Sequence, residues 1–357
     1  MNFTKIDQSL HSKANYYLKK IITKSLINKN KNKNKNIKIL KFIKKINDQV
    51  EHKNKYGGTW EWIDRNIRSD KVSESIKTKL TFKNKLENFF RNELSFGLIS
   101  SHWEKKNKDN WKINLSSDIL KNINTWEEFS KEKNEEFKYL DSKNDPGNPY
   151  GIMYKKKLIL YDTPRHDYYA KKIINLFKNS KKKPIILEIG GGYGGLLNQL
   201  IKRKFKFKYI NIDLINTLIT NIYYIASSHG NNKLTFKKKI IKNDLKKYDI
   251  FFMPFSKKIF SNINFNVDLV FNSNSLSEMN LKTIKNYFKL INKKLCPKYI
   301  LHQNSNILLY PNSNLHVEVQ SKQFPIDKLS YEQVYTHPSL FQGGSGRYRE
   351  YLFKKKN

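Results

Sequence analysis

The chemistry in this chain starts at Ile186-Leu187-Glu188-Ile189-Gly190-Gly191-Gly192-Tyr193-Gly194-Gly195, an apolar run that breaks into glycines and then opens a helix. Glycine is needed in such a loop because the backbone turns sharply and a ligand must approach it within van der Waals contact. Gly190, Gly192 and Gly195 fit the dinucleotide pattern G-x-G-x-x-G, while Gly190, Gly192 and Gly194 fit the G-x-G-x-G variant used for S-adenosylmethionine. Glu188, two residues before the first glycine, favours the second ligand. A carboxylate at that strand end attracts the ammonium of an amino-acid moiety, whereas beside a pyrophosphate its charge is unfavourable. Asp213 follows Glu188 by 25 residues. It ends the next apolar run, where a carboxylate can accept hydrogen bonds from both hydroxyls of a ribose, which either ligand carries. The alternative role for Asp213 is to cap a helix beginning near Leu214. Further on, Val267 to Phe271 breaks into the polar loop Asn272-Ser273-Asn274-Ser275, and polar loops at strand ends are where open α/β sheets bind ligands. Asn272 and Ser273 therefore join the candidate cofactor residues with Glu188, Gly190, Gly191, Gly192, Tyr193, Gly194 and Asp213.

Placing these loops requires alternating strands and helices. The pattern predicts a helix over Tyr168–Phe177, a strand at 184–189, a helix at Leu196–Lys202, a strand at Phe207–Asp213 and a helix from Ile215 to Ser227. A strand at Val267–Phe271, a helix at Leu281–Leu295 and a strand at Tyr299–Gln303 complete the run. Such alternation implies a mostly parallel sheet covered by helices on both faces. The stretches Leu315–Val319 and Tyr348–Phe353 read as an antiparallel pair at the sheet edge. Before the turn cluster Asn144-Asp145-Pro146-Gly147-Asn148-Pro149 the periodicity is helical, as in Tyr16–Ile27 and Ile37–Val50, with a Lys-Asn tract at 28–36 between them. All five tryptophans lie in this first part, as core or as one wall of a site. The reading is a mostly helical N-terminal region, residues 1–145, that serves as a cap or substrate domain, followed by a catalytic domain over 146–357.

A formal charge of +38 invites nucleic acid, but only 7 of the 69 basic residues are Arg, the side chain best suited to bidentate phosphate and guanine contacts. With 43 Asn beside the lysines, the composition resembles the coding bias of an AT-rich genome, and it argues against a nucleic-acid partner. Weak peripheral attraction to an anionic membrane stays open. The single cysteine, Cys296, forms no internal disulfide, and Met1 to Thr23 holds no uninterrupted apolar stretch. A cytoplasmic location is expected.

Across residues 145–353 the sequence resembles the class I S-adenosylmethionine-dependent methyltransferases, and among them the sugar O-methyltransferases of bacterial surface-polysaccharide clusters. The resemblance rests on the loop 188–195, the Asp213 strand end, Asn272-x-x-Ser275-x-x-Glu278-Met279, and Thr163-Pro164-Arg165-His166-Asp167-Tyr168-Tyr169-Ala170. It implies a Rossmann-like seven-stranded sheet with an antiparallel last strand, S-adenosylmethionine as cofactor, and a sugar, nucleotide-sugar or glycan acceptor. The span between Asp213 and Val267 is long, so either Leu234–Ile241 or Ile250–Met253 holds the third strand.

Methyl transfer from a sulfonium is an in-line displacement that needs alignment and an acceptor for the hydroxyl proton, and it requires no metal. Candidates for that base are His302 at a strand end, Glu278 after the polar loop, and His166 ahead of the first strand. The histidine at 302 would alternatively be a satisfied member of a strand-end network, Glu278 a helix cap or sugar ligand, and His166 a partner of Arg165 in holding the cofactor carboxylate. His337-Pro338 and Gly343-Gly344-Ser345-Gly346 would form a lid or a plain hairpin. Two other classes stay in play: an RNA methyltransferase, and a NAD(P)-binding nucleotide-sugar oxidoreductase.

Overall fold

The computed structural model describes residues 39–43, 45–46, 79–95, 97–98, 111–130, 137–256, 262–308, 319–341 and 347–356. The tract 28–36, Trp60, Trp62, Trp103, most of the two early predicted helices, 315–318 and the 343–346 glycines lie outside them.

In chain order the elements are helices α1 (Lys79–Glu87), α2 (Trp111–Ser130) and α3 (Phe137–Leu140), then the hairpin β1 (Ile152–Tyr154) and β2 (Lys157–Ile159). The alternating part follows as α4 (Thr163–Leu176), β3 (Ile185–Ile189), α5 (Gly195–Lys202), β4 (Lys208–Asp213), α6 (Ile215–His229), β5 (Leu234–Phe236), α7 (Asp244–Lys247), β6 (Ile250–Pro254) and β7 (Leu269–Ser273). Helix α8 (Leu281–Leu290), β8 (Tyr299–Ser305), β9 (Tyr331–Pro338) and β10 (Tyr348–Lys355) close the chain. Local chemistry sets several boundaries. Pro164 opens α4, where a missing N–H costs nothing, the Asn280 side chain caps α8 by accepting the Thr283 N–H at 2.8 Å, and Gly230 ends α6.

One sheet carries the site, with strand order β5-β6-β4-β3-β7-β8-β10-β9. Strands β3 to β8 run parallel, and β10 lies antiparallel between β8 and β9. The expected antiparallel last strand is present. The sheet has eight strands rather than seven because both candidates for the third strand belong to it: β6 pairs with β4, and β5 extends the edge beyond β6. The partner of β10 also differs from expectation. It is β9, not 315–319, of which only Val319 is described, in a bend. Leu281–Leu295 is helical as α8 with one wider turn at Ile291–Leu295.

Strands buried on both faces separate two cores. Helices α4, α5 and α6 pack on one face together with Ile39, Ile43, Phe82, Leu86, Phe89 and Phe90, so described parts of the first 145 residues share the core of the sheet. On the other face α8 packs with Val319, Phe324, Ile326 and Tyr331. Trp126 of α2 centres a smaller cluster with Phe137, Ile152 and Phe341. Among the described residues no helix is long and apolar enough to cross a membrane.

A buried clamp joins these layers. The Asp167 carboxylate on α4 accepts the Trp126 indole N–H at 2.8 Å and both Nε and Nη2 of Arg203, at 2.6 and 2.8 Å. Removing one partner strands the others in low dielectric. Asp167→Ala should therefore lower the unfolding free energy by about 3–5 kcal/mol in urea titration, whereas Lys183→Ala, which breaks an exposed pair with Asp249, should cost under about 1 kcal/mol. Equal losses would mean the clamp does not hold the layers.

Candidate cofactor site

The glycine turn forms as predicted between β3 and α5, at the carboxyl edge of the sheet. Gly190 adopts φ +70°, where a Cβ would overlap the Ser275 hydroxyl. Gly191 lies directly on two buried side chains. A Cβ there would overlap Glu188 Oε2 and stand 2.6 Å from Asn211 Nδ2. The turn is pinned at both sides: the Gly190 N–H donates to the Ile212 carbonyl at 2.8 Å, and the Gly192 N–H donates to Asp213 Oδ2 at 3.0 Å.

Beside it opens a cleft in contact with solvent, whose walls include Gly190, Gly192, Asp213, Phe255, Met279 and Tyr287. Leu98, from the N-terminal region, covers the Gly192 side, and Ile212, Leu214, Ser275 and Thr283 also line the cleft. The arrangement is a carboxylate set among flat and apolar side chains at a glycine turn, which suits a ribose next to an aromatic base. The sequence pattern identified Gly190, Gly192 and Asp213. It missed Leu98, Phe255 and Tyr287, which are ordinary apolar residues contributed by three separate segments, and it included Met279 only as part of the motif after the polar loop.

The other expected cofactor residues sit behind this lining. Glu188 is buried under Gly191, where Tyr209 donates its hydroxyl to Oε2. Burial pushes its carboxyl up to about 8, against the Tyr209 hydrogen bond, and the nearby charge of Asp213 adds to the rise. Neighbouring Asn211, on β4, leaves both amide atoms unpartnered and is wholly buried. Tyr193 turns inward to an aromatic cluster with Phe90 and Tyr224, and Gly194 caps α5. Asn272 spends its amide on the fold: Nδ2 donates to the Ile189 carbonyl at 2.7 Å and to Ser275 Oγ at 2.5 Å, while Oδ1 accepts from Asn304 Nδ2 at 2.7 Å. Ser273 accepts Arg165 Nη1 at 2.8 Å and donates to Gln303 Oε1 at 3.0 Å.

The three base candidates are not brought together. His302 is 1% exposed and stacks on Tyr351 at 4.8 Å between centroids, with Phe324 at 5.1 Å. Its strand runs on to Ser305, so it lies inside the sheet layer rather than at the edge, and burial lowers its pKa to about 3. Such a ring is core, not a base facing an acceptor. His166 packs against Gly195 below the turn, with Nδ1 3.4 Å from the Tyr193 hydroxyl, and burial together with the Arg165 charge holds its pKa well below the usual range. Glu278 follows Ser275 on the turn that leads to Met279 of the cleft. Its charge, after burial, raises the neighbouring Tyr348 hydroxyl. His337, expected in a lid or a plain hairpin, lies on β9 and stacks on Tyr335.

No protein-family model and no curated protein matches the sequence. Several similar solved structures are methyltransferases. The small RNA methyltransferase HEN1 shares 15% identity over 57% of this chain and 26% of its own, with a TM-score of 0.40. Magnesium protoporphyrin IX methyltransferase (ChlM) from Synechocystis PCC 6803 with bound SAH shares 10% identity over 55% of this chain and 86% of its own, at 0.36. The glycopeptide N-methyltransferase MtfA complexed with S-adenosylmethionine shares 9% over 54% of this chain and 94% of its own, at 0.36.

The raised Glu188 carboxyl has a measurable consequence. Between its unfolded value near 4.5 and about 8, the folded state holds a proton that the unfolded state releases. Stability from this group is complete below about pH 4.5 and is lost as pH rises through 8, with a slope of at most about 1.4 kcal/mol per pH unit. Glu188→Gln should flatten the thermal-denaturation midpoint of the ligand-free protein between about pH 5 and 8 relative to wild type. Parallel profiles would contradict the buried-acid assignment.

Proposed function

We propose that this chain transfers the methyl group of S-adenosylmethionine to a sugar hydroxyl, on a nucleotide sugar or a growing surface glycan. The cleft carries the reading: Asp213 stands at the glycine turn with Leu214, Phe255, Met279 and Tyr287 around it. Asp213 would receive the ribose hydroxyls and the apolar walls the adenine. When bound, S-adenosylmethionine supplies a methyl group activated on a sulfonium centre. The remaining work falls to the protein, which must orient the acceptor, exclude water and take one proton.

Glu278 is the base on this reading, because it is half-buried next to the cleft residue Met279 and beside Tyr348, whereas His302 is enclosed by aromatic rings and His166 supports the turn from beneath. Asn274, whose side-chain oxygen has no partner, and the neighbouring cleft residue Ser275 give the acceptor side small hydrogen-bonding groups of the kind that recognise a sugar. Residues 1–145 act as the cap, with Leu98 already forming part of the wall. A nucleotide-sugar acceptor would place the protein in the cytoplasm. The abundance of lysine over arginine counts against an RNA acceptor.

Radiolabelled methyl transfer to a panel of nucleotide sugars and lipid-linked glycans tests the acceptor class. Labelling of at least one is expected, and labelling of RNA alone would overturn the sugar assignment. Asp213→Ala should weaken cofactor binding by about 1–3 kcal/mol in calorimetry, the scale of lost charge-assisted hydrogen bonds. Glu278→Gln should slow transfer by about a hundredfold or more while cofactor affinity is unchanged. Full turnover by that variant would remove Glu278 from the reaction.

A further inference from the structure

Every loop that feeds a strand from the amino edge of the sheet ends opposite the cleft. Along that edge the sequence concentrates lysine. Segments 178–183, 204–206, 231–233, 246–247, 293–298, 328 and 355–356 carry fifteen exposed lysines. They are brought side by side by the parallel order of the strands and by β10, whose antiparallel course returns its carboxyl end to the same edge. The backbone ties the far part together: the Lys355 N–H donates to the Lys298 carbonyl at 2.9 Å, and Lys356 Nζ reaches the Lys328 carbonyl at 3.0 Å.

Among the described residues the carboxylates on or beside this face are engaged, Asp244 with Lys237 at 3.1 Å among them. Asp249 is held by Lys208 at 2.7 Å and lies near Lys183 and Lys233. Asp268 accepts the Ile185 N–H at 2.7 Å, Asp327 accepts the Ser330 hydroxyl at 2.6 Å, and Glu332 lies beside Lys354 across the β9–β10 ladder. Composition alone would spread lysine over the whole surface. Among the described residues the cleft end differs, since the turns at 190–194 and 274–280 contain none, and the lysines nearest to carboxyl strand ends stand at 237–239, 282 and 322. Amid the cations at the amino edge stands Leu329, 89% exposed.

We infer that the amino edge of the sheet docks on an anionic membrane surface, with Leu329 entering the headgroup layer. Eight strands about 4.8 Å apart make a broad row about 34 Å long. It presents compact ammonium charges rather than the arginines and exposed aromatic rings that read nucleic acid, and each lysine near an anionic leaflet adds to the attraction. Docked in this way, the cleft faces away from the bilayer, toward a soluble acceptor or the distal end of a glycan. The inference does not depend on methyl transfer.

Vesicle flotation tests it. Wild-type protein in about 0.1 M salt should float with vesicles containing about one-third phosphatidylglycerol, stay behind with pure phosphatidylcholine, and be released at about 0.5 M salt. The triple variant Lys298→Glu, Lys328→Glu, Lys355→Glu should bind about a hundredfold more weakly. Lys239→Glu, Lys282→Glu, Lys322→Glu, which changes the net charge equally beyond the carboxyl strand ends, should bind within a few-fold of wild type. Leu329→Ser should weaken binding several-fold with no change of charge. Equal losses in the two triples would show that net charge, not this face, does the binding. Salt-insensitive or neutral-vesicle binding, or a single-stranded RNA oligonucleotide held more tightly than vesicles at the same salt, would also overturn it.

Discussion

Beneath Gly191 there is no room for a side chain, and much of the site follows from that. The carboxyl of Glu188 and the amide of Asn211 fill the space where a Cβ would stand, so the loop backbone lies flat against two buried polar groups. Held there, the turn brings the Gly192 N–H to Asp213 and joins the ends of β3 and β4. From the opposite side Asn272 and Ser275 fasten the Ile189 carbonyl, so the end of β7 is fixed to the same turn. The cleft is the gap these fixed strand ends leave beside them. A charged carboxylate at this depth is costly, and keeping Glu188 protonated, with Tyr209 donating to it, avoids that cost.

Helix α4 distributes the rest of the rigidity. Arg165 binds Ser273 and Asp162, Asp167 binds Arg203 and Trp126, and Lys172 binds Glu350 and Tyr335. One helix thus ties the β7 end, the early α2 segment and the β10 strand to each other. Its polar contacts are buried or nearly so, which makes them costly to break and specific in register. Opposite the cleft the sheet presents cations instead of a binding turn, so the two edges are fitted to different partners.

The alternation of strands and helices was legible because buried parallel strands are continuous apolar runs and the glycine turn punctuates them. Boundaries fell within a few residues at β3, β4 and α6. The edge was harder: β5 and β6 are short and close together, and the strand that pairs with β10 on its outer side is β9, which the alternation at 315–319 did not point to. Asp213 was legible since its spacing from the turn reflects one strand and one helix. His302 was misleading. Its position along the strand looked terminal, but β8 continues to Ser305, and the aromatic residues that enclose it, Phe324 and Tyr351, are distant in sequence. Nor did spacing reveal that Glu188 faces the loop rather than the cleft, because that depends on Tyr209 and Asn211 of the adjacent strand.

The most direct test of this account is calorimetric titration of the purified protein with S-adenosylhomocysteine and NAD in parallel. Binding of the adenosyl ligand at one site per chain, with no heat from NAD, is the predicted result. Binding of NAD alone would contradict the assignment of the glycine turn and of the cleft beside it.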